Sequence, residues 1–277
     1  MMRNKYVWTF CVLLGMPLVG GAQWLNFRDP GTPRTSDGQP NLSAPAPRVH
    51  GKPDLSGVWE VESSPKKEIE RYLLPGGING LGEDDPSKYF INFLSDFPFG
   101  KEPFQPAAAA AFQQKMKNPQ KPPTLCLPPT LPMADLFPVP FKIVQTPRSV
   151  LFLYEADTFF RQIYTDGRKH PDDPQPSWLG YSVGRWDGDW FVVDTIGLTD
   201  RGPVDVIGHP RSESMRLTER MHRRDFGHME MELTVTDPQT YTQPLTVKVN
   251  FRLLPDTDVI ESFCSEDEQD LPHMRGQ

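Results

Sequence analysis

The chain has 277 residues, with 29 Lys and Arg against 36 Asp and Glu, which gives a formal charge of −7 at pH 7. Hydrophobic residues make up 37% of the chain and charged residues 23%, proportions that exclude both a membrane protein with many spans and a wholly disordered chain. The 31 Pro and 21 Gly are too many for a helical bundle, and the net negative charge argues against a nucleic-acid partner.

The N-terminal residues predict a secretory signal peptide over residues 1–22. Arg3 and Lys5 precede an apolar run at residues 6–20, and small residues follow it. Pro17 interrupts the run, which is shorter than the roughly 20 apolar residues that a membrane span needs. We therefore expect a periplasmic or secreted protein with no stable membrane span after cleavage.

Two cysteines, Cys126 and Cys264, lie outside the predicted signal peptide. One precedes the main β region and the other ends it, and in an oxidising compartment the simplest interpretation is a disulfide bond between them. Two separate buried thiols are the alternative.

One domain is predicted over residues 54–266, between a flexible Pro-rich lead-in at 23–53 and a tail at 267–277. Its first strand contains Trp59. Residues 62–142 form an irregular insertion, in which the alanine run after Pro106 predicts a helix. The insertion is rich in aromatic residues between Tyr89 and Phe104, which should pack over one end of the remaining structure.

From residue 143 onwards the pattern is almost entirely β. The predicted strands are residues 143–146, 150–155, 159–164, 181–186, 190–195, 215–223, 229–236, 245–253 and 259–263. Asp187-Gly188 is a pair that two-residue hairpin turns prefer. With the Trp59 strand, these give an antiparallel up-and-down β-barrel of about nine or ten strands, since closure removes exposed edges. A two-sheet β-sandwich is the alternative.

One acidic residue breaks the alternation of apolar and polar side chains along the strands. Glu219 falls on the apolar face with Leu217 and Met221, where a carboxylate must be paired or have a raised pKa. Arg161 falls on an apolar face in the same way and is the predicted partner, with Arg185 as a further candidate. Whether Glu219 is part of a structural ion pair or of a site stays open.

Two strand connections also hold residue types that carry chemistry. The first contains Asp166, Arg168 and His170 and leads to Trp178 and Tyr181. The second contains His209. If both connections lie at one barrel mouth, Asp166, His170, Tyr181 and His209 should converge there. Neither shows the fixed ligand spacing of a metal site, so no metal or cofactor is predicted.

At the level of motifs the chain resembles a group of uncharacterised exported bacterial proteins. The shared runs are Asp54-Leu55-Ser56-Gly57-Val58-Trp59, Cys126-Leu127-Pro128-Pro129, Thr165-Asp166-Gly167-Arg168-x-His170-Pro171 and Gly208-His209-Pro210. More loosely, Gly57-x-Trp59 looks like the opening of a lipocalin or calycin barrel, which implies only that a ligand cavity is possible.

The leading functional hypothesis is an exported β-barrel that binds a small molecule in an internal or mouth pocket. The alternative is an enzyme, a lyase, isomerase or hydrolase, that uses acid–base chemistry on a sugar or other polar metabolite. The candidate catalytic residues are Glu219, Asp166, His170 and His209, and the candidate ligand-binding residues are Arg161, Arg168, Trp178, Tyr181 and Arg185.

Overall fold

A computed structural model describes residues 28–69, 86–117 and 128–263. The predicted signal peptide, the predicted tail and both cysteines of the predicted disulfide, Cys126 and Cys264, lie outside the described residues. Within the three described ranges, no helix has both the length and the apolar character needed to cross a membrane.

The strands, in chain order, are β1 (Arg48–Val49), β2 (Lys52–Pro53), β3 (Gly57–Val61), β4 (Phe141–Gln145), β5 (Ser149–Tyr154), β6 (Phe160–Tyr164), β7 (Tyr181–Asp187), β8 (Trp190–Ile196), β9 (Arg216–Arg223), β10 (His228–Thr236) and β11 (Leu245–Leu253). The helices are α1 (Lys66–Ile69), α2 (Lys88–Ile91), α3 (Pro106–Lys117) and α4 (Met133–Leu136), and a 3-10 turn spans Ala156–Thr158.

In the described part of the chain, strands β3 to β11 close into a nine-stranded barrel in which sequence neighbours pair and β11 returns to β3. The predicted closed barrel is therefore confirmed, and the sandwich alternative is excluded. Its inner wall follows the predicted alternation: every second residue of β10 and β11 is buried, and the residues between them face outwards.

One strand pair differs from the predicted up-and-down topology. β6 and β7 are parallel, with Ile163 opposite Ser182, whereas all other barrel neighbours are antiparallel. A closed barrel with only antiparallel neighbours needs an even number of strands, so nine strands require a parallel pair. The connection at residues 165–180 is the long crossover that a parallel pair demands.

The strand predicted at residues 259–263 is wrong. β11 already pairs with β10 on one edge and with β3 on the other, where Leu253 lies opposite Trp59. No edge of β11 is therefore left for a further strand. Residues 259–263 instead contact the 3-10 turn, because the amide of Ser262 donates to Oγ1 of Thr158 over 2.9 Å.

The insertion covers one end of the barrel, which we call the roofed end. The loops at residues 197–215 and 237–244 lie at this end, and α2 docks on the first of them. The amides of Val206 and Ile207 donate to the carbonyls of Phe90 and Ile91 over 3.1 and 3.0 Å. Phe90 and Phe93 are buried, so the aromatic-rich segment packs over a barrel end as its composition predicts.

At the opposite end of the barrel, the side chain of Arg223 packs on the indole ring of Trp59. The Arg223 guanidinium lies 4.9 Å from the ring centre of Trp59, whose own N–H donates to the carbonyl of Leu55 over 2.9 Å. The Arg223 side chain donates to the backbone carbonyls of Asp54, Ser56, Asp225 and Phe226.

Candidate functional site

The middle of the barrel holds a buried ion pair between β6 and β9. Arg161 binds both oxygens of Glu219, with Nη1 to Oε1 at 2.8 Å and Nη2 to Oε2 as the second contact. Both side chains are almost completely buried. The predicted pairing of Glu219 with Arg161 is therefore confirmed, and Arg185 is not the partner.

Three further side chains complete this barrel cluster around Arg161. Its Nε donates to Oγ of Ser182 over 3.1 Å, Nη2 to Oγ1 of Thr195 over 2.8 Å, and Nη1 to Oδ2 of Asp135 over 3.4 Å. Each of the five guanidinium N–H groups thus has an acceptor, which is the condition for burying a charge at tolerable cost.

Asp135 belongs to α4 and enters the barrel from the insertion. Its Oδ1 accepts the hydroxyl hydrogen of Tyr154 over 2.6 Å. Sequence reasoning missed this residue, although Asp135 sits among Ala134, Leu136 and Phe137 and is the same kind of acid in an apolar run that drew attention to Glu219.

The barrel cluster contains two carboxyl groups for one guanidinium. Burial, followed by the charge of Glu219, raises the pKa of Asp135 to about 7, against the opposing effects of Arg161 and Tyr154. Burial alone would lower the pKa of Arg161, but Glu219 and Asp135 raise it well above its usual value, so it stays charged. With a pKa of about 7, Asp135 is partly protonated near neutral pH.

Arg185 and its neighbours lie on the outer wall of the barrel instead. Nη1 of Arg185 pairs with Oδ2 of Asp194 at 2.9 Å, and the side chain is largely exposed. The main-chain carbonyl of Asp194 lies 2.9 Å from Nε2 of His170. Because β7 alternates and Ser182 points inwards, Arg185 must point outwards.

The first candidate connection forms a surface cluster beside Arg185. Asp166 pairs with Arg168 at 2.6 Å, and the Arg168 hydrogen bonds lower the pKa of Asp166. The guanidinium of Arg168 lies 3.8 Å from the ring centre of Tyr164 and 3.4 Å from the hydroxyl of Tyr181. His170 joins this cluster through Tyr181, with ring centres 6.3 Å apart. Three of the four residues expected to converge therefore lie together, but on the outer wall and not at the predicted barrel mouth.

His209 is separate from this surface cluster. It is buried at the roofed end, where Nδ1 lies 2.5 Å from Oδ2 of Asp205. Its ring packs against Phe112 of α3 with ring centres 4.7 Å apart, and against Phe104 at 5.8 Å. The predicted convergence of His209 with His170 is thus wrong, because the loop that carries His209 folds under the insertion.

Asp205 connects this loop to α2. Besides His209 Nδ1, its carboxylate accepts the amides of Phe93 at 2.8 Å, Gly208 at 2.9 Å and His209 at 3.1 Å. Four hydrogen bonds to one carboxylate fix the loop rigidly in place.

Beside His209, α3 and residues 200–211 border an open cavity of about 230 Å³, which we call the roof cavity. Its wall includes the charged side chains of Lys115, Asp200, Arg201 and Arg211. Arg201 also lies against the ring of Trp178, with its guanidinium 5.3 Å from the ring centre. Of the candidate residues predicted from sequence, His209 adjoins this cavity, since it lies between the wall residues Gly208 and Pro210. Trp178 contacts the wall residue Arg201.

Arg211 is the least satisfied polar side chain of the cavity wall. It is 6% exposed, and Nη1 donates to the carbonyl of Leu131 over 2.7 Å. Nε and Nη2 are buried and have no hydrogen-bond partner among the described residues. Burial lowers its pKa to about 10, against the opposing charges of Asp200 and Asp237. Sequence reasoning missed Arg211, although it follows the Gly208-His209-Pro210 motif directly.

Other cavities lie beside α3 and at the end of the barrel opposite the roofed end. A groove of about 320 Å³ runs along the other flank of α3 between Phe104 and Met116, and a cavity of about 390 Å³ lies near Arg223. Within the described ranges, no three His, Cys, Asp or Glu side chains come together as a metal ion would require.

Comparison of the chain with protein-family models, with curated protein sequences and with solved structures found no match. The geometry of the roofed end is therefore the basis for inferring function. The structure comprises a closed β-barrel with a buried ion cluster inside and a cavity at its roofed end.

Proposed function

We propose that the protein is an exported small-molecule-binding β-barrel whose ligand occupies the roof cavity, at the mouth of the barrel. The observation that carries this proposal is the cavity itself, about 230 Å³ in volume, whose wall includes the buried and hydrogen-bonded residues Gly208 and Arg211. Export rests on the signal-like character of residues 1–22.

The barrel cluster favours a mouth site over an internal one. Arg161 and Glu219 cross the middle of the barrel and are almost fully buried, with all their hydrogen-bonding groups engaged. Phe152, opposite Arg161, and Leu233, opposite Glu219, are buried beside them. A ligand in the middle of the barrel would have to displace a fully bonded charge pair, which is strongly unfavourable.

The walls of the roof cavity are held by contacts on both sides. Nζ of Lys115 on α3 donates to the carbonyl of Gly208 over 3.2 Å, and Oγ1 of Thr130 donates to the carbonyl of Pro203 over 3.0 Å. Phe112 packs on the buried His209 ring. A site ordered before binding avoids the entropy loss of ordering on binding.

The size of the cavity indicates the size of the ligand. Its volume of about 230 Å³ is below the roughly 300–1,000 Å³ of sites for drug-sized molecules. The ligand is therefore a small metabolite or a terminal group of a larger molecule.

A pair of matched substitutions on α3 tests the location of the site. Both Ala110 and Ala111 are exposed, but only Ala111 lines the roof cavity. We expect Ala111→Phe to abolish binding of small carboxylates, phosphates, sugars or amides that ligand-observed NMR detects with the mature protein, because the ring fills the cavity. Ala110→Phe should bind as the unmodified chain does. Binding that survives Ala111→Phe, or no binding from the whole panel, would overturn the proposal.

A further inference from the structure

We propose that the roof cavity is an oxyanion site, in which Arg211 holds a carboxylate or phosphate group and Lys115 and Arg201 supply flanking positive charge. This inference rests on the proposed function and adds the chemical class of its ligand.

The first argument is the unmet hydrogen-bonding demand of Arg211. The side chain is 6% exposed, and two of its three nitrogens have no partner in the described chain. Buried donors without acceptors are rare in folded proteins, and they are costlier when charged. A ligand that brings acceptor oxygens removes this cost.

The second argument is the position of the two Arg211 nitrogens that have no hydrogen-bond partner in the described chain. Nη1 is used by the carbonyl of Leu131, and the remaining Nε and Nη2 share one edge of the planar guanidinium. Their N–H bonds run parallel, at the spacing of two oxygens of one carboxylate or phosphate. This edge is the fork with which arginine binds such groups bidentately.

The third argument is a comparison with Arg223, which is buried to a similar degree. Burial lowers the pKa of both side chains to about 10. At Arg223 the chain supplies backbone carbonyls to Nε, Nη1 and Nη2. At Arg211 the chain supplies one backbone carbonyl, that of Leu131. Arg223 also borders a cavity, but there the chain provides an acceptor for every guanidinium nitrogen, whereas it leaves two of the three nitrogens of Arg211 without a partner.

The fourth argument is the charge of the cavity wall. Lys115, Arg201 and Arg211 face one carboxylate, Asp200, in a chain whose net charge is −7. The hydrogen bonds that these three cations make in the described chain go to neutral groups, namely the Gly208 carbonyl, Thr199 Oγ1 and the Leu131 carbonyl.

Asp237 is the other acid whose charge reaches Arg211, but it is occupied elsewhere. Its Oδ2 accepts the amide of Ser212 at 2.7 Å, and its Oδ1 accepts the Ser212 hydroxyl at 2.6 Å. The wall of the roof cavity therefore carries an excess of positive charge, which favours an anion.

The test uses pairs of probes that differ only in charge. Acetate is titrated against acetamide and succinate against succinamide, with inorganic phosphate as the second oxyanion, into the isotope-labelled mature protein at fixed ionic strength. NMR follows the amides of Gly208 and Arg211. We expect saturable shifts with the oxyanions and at least about tenfold weaker binding of each neutral amide, a difference of about 1.4 kcal/mol.

Three variants assign that binding to the cavity. Arg211→Met should abolish the saturable shifts, and Lys115→Met, at an exposed helix position, should weaken binding severalfold. Arg185→Met removes an arginine from the outer wall and should bind as the unmodified chain does. Arg211→Met is expected to stay folded, because replacing a poorly paired buried charge with an apolar side chain is often neutral, and its melting curve checks this.

The outcomes separate the two proposals. If the amides bind at the cavity as tightly as the acids, the oxyanion site is overturned while the cavity remains a binding site. If the oxyanions bind to Arg211→Met and to Lys115→Met as tightly as to the unmodified chain, they are adventitious ions only and the inference is overturned. If none of these probes and no member of the wider panel binds, both proposals are overturned.

Discussion

Asp135 is the second buried carboxyl group in the barrel interior, where it and Glu219 share a single guanidinium, that of Arg161. The titratable and charged groups that face it are Tyr154 on β5, Arg161 on β6 and Glu219 on β9. Because its pKa rises from an ordinary 3.8 to about 7 on folding, the folded protein holds a proton that the unfolded chain releases above about pH 4. The stability that this proton supplies is complete below about pH 4 and is lost as the pH rises towards 7.

The variant Asp135→Asn removes this titration and keeps the shape of the side chain. We expect its free energy of unfolding to increase relative to that of the unmodified chain as the pH rises from 4.5 to 7.5, because only the unmodified chain loses stability from this titration. The slope of the difference is at most about 1.4 kcal/mol per pH unit. Urea unfolding at several pH values measures it, with the exposed Asp173→Asn as control. A pH-independent difference between Asp135→Asn and the unmodified chain would show that Asp135 ionises normally.

The loop at residues 197–215 is the element on which the roof cavity depends. Asp205 binds the amide of Phe93, just after α2, and the amides of Gly208 and His209 within its own loop. It also lies against the His209 ring. An asparagine of the same size offers one acceptor oxygen in place of two and turns a donor towards the remaining N–H groups.

We therefore expect Asp205→Asn to destabilise the loop at residues 197–215 locally and to leave the stability of the barrel strands unchanged. Hydrogen exchange should accelerate at the amides of Phe93 and Gly208 by about tenfold or more, since a lost charged hydrogen bond contributes about 1.5–3 kcal/mol. The amide of Met231 on β10 should exchange at its original rate. Equal acceleration at Met231 would contradict the account, because it would mean that the roof and the barrel unfold together.

Among the elements, local pattern predicts strands well and their partners less well. The alternation along β10 and β11 predicts which side chains face inwards, and the Asp187-Gly188 turn predicts the β7–β8 hairpin. The parallel β6–β7 pair and the absence of a strand at 259–263 depend on which edges are already occupied. Edge occupancy is a property of the closed barrel, which no single segment encodes.

At the scale of the whole molecule, the ion pair could be predicted and the cavity could not. Glu219 and Arg161 each break a two-residue alternation, so each is visible within its own strand. The roof cavity brings together Lys115 of α3, Arg201 and Arg211, none of which breaks a local pattern. Their meeting follows from the insertion folding over the barrel end, which is set by long-range packing.

A crystal structure of the mature protein grown with succinate would test the central claim, ligand binding in the roof cavity, most directly. The account predicts a carboxylate with its two oxygens within about 3 Å of Nε and Nη2 of Arg211, the two nitrogens that lack partners in the described chain. A structure in which both nitrogens bind protein groups and succinate lies outside the cavity would contradict it.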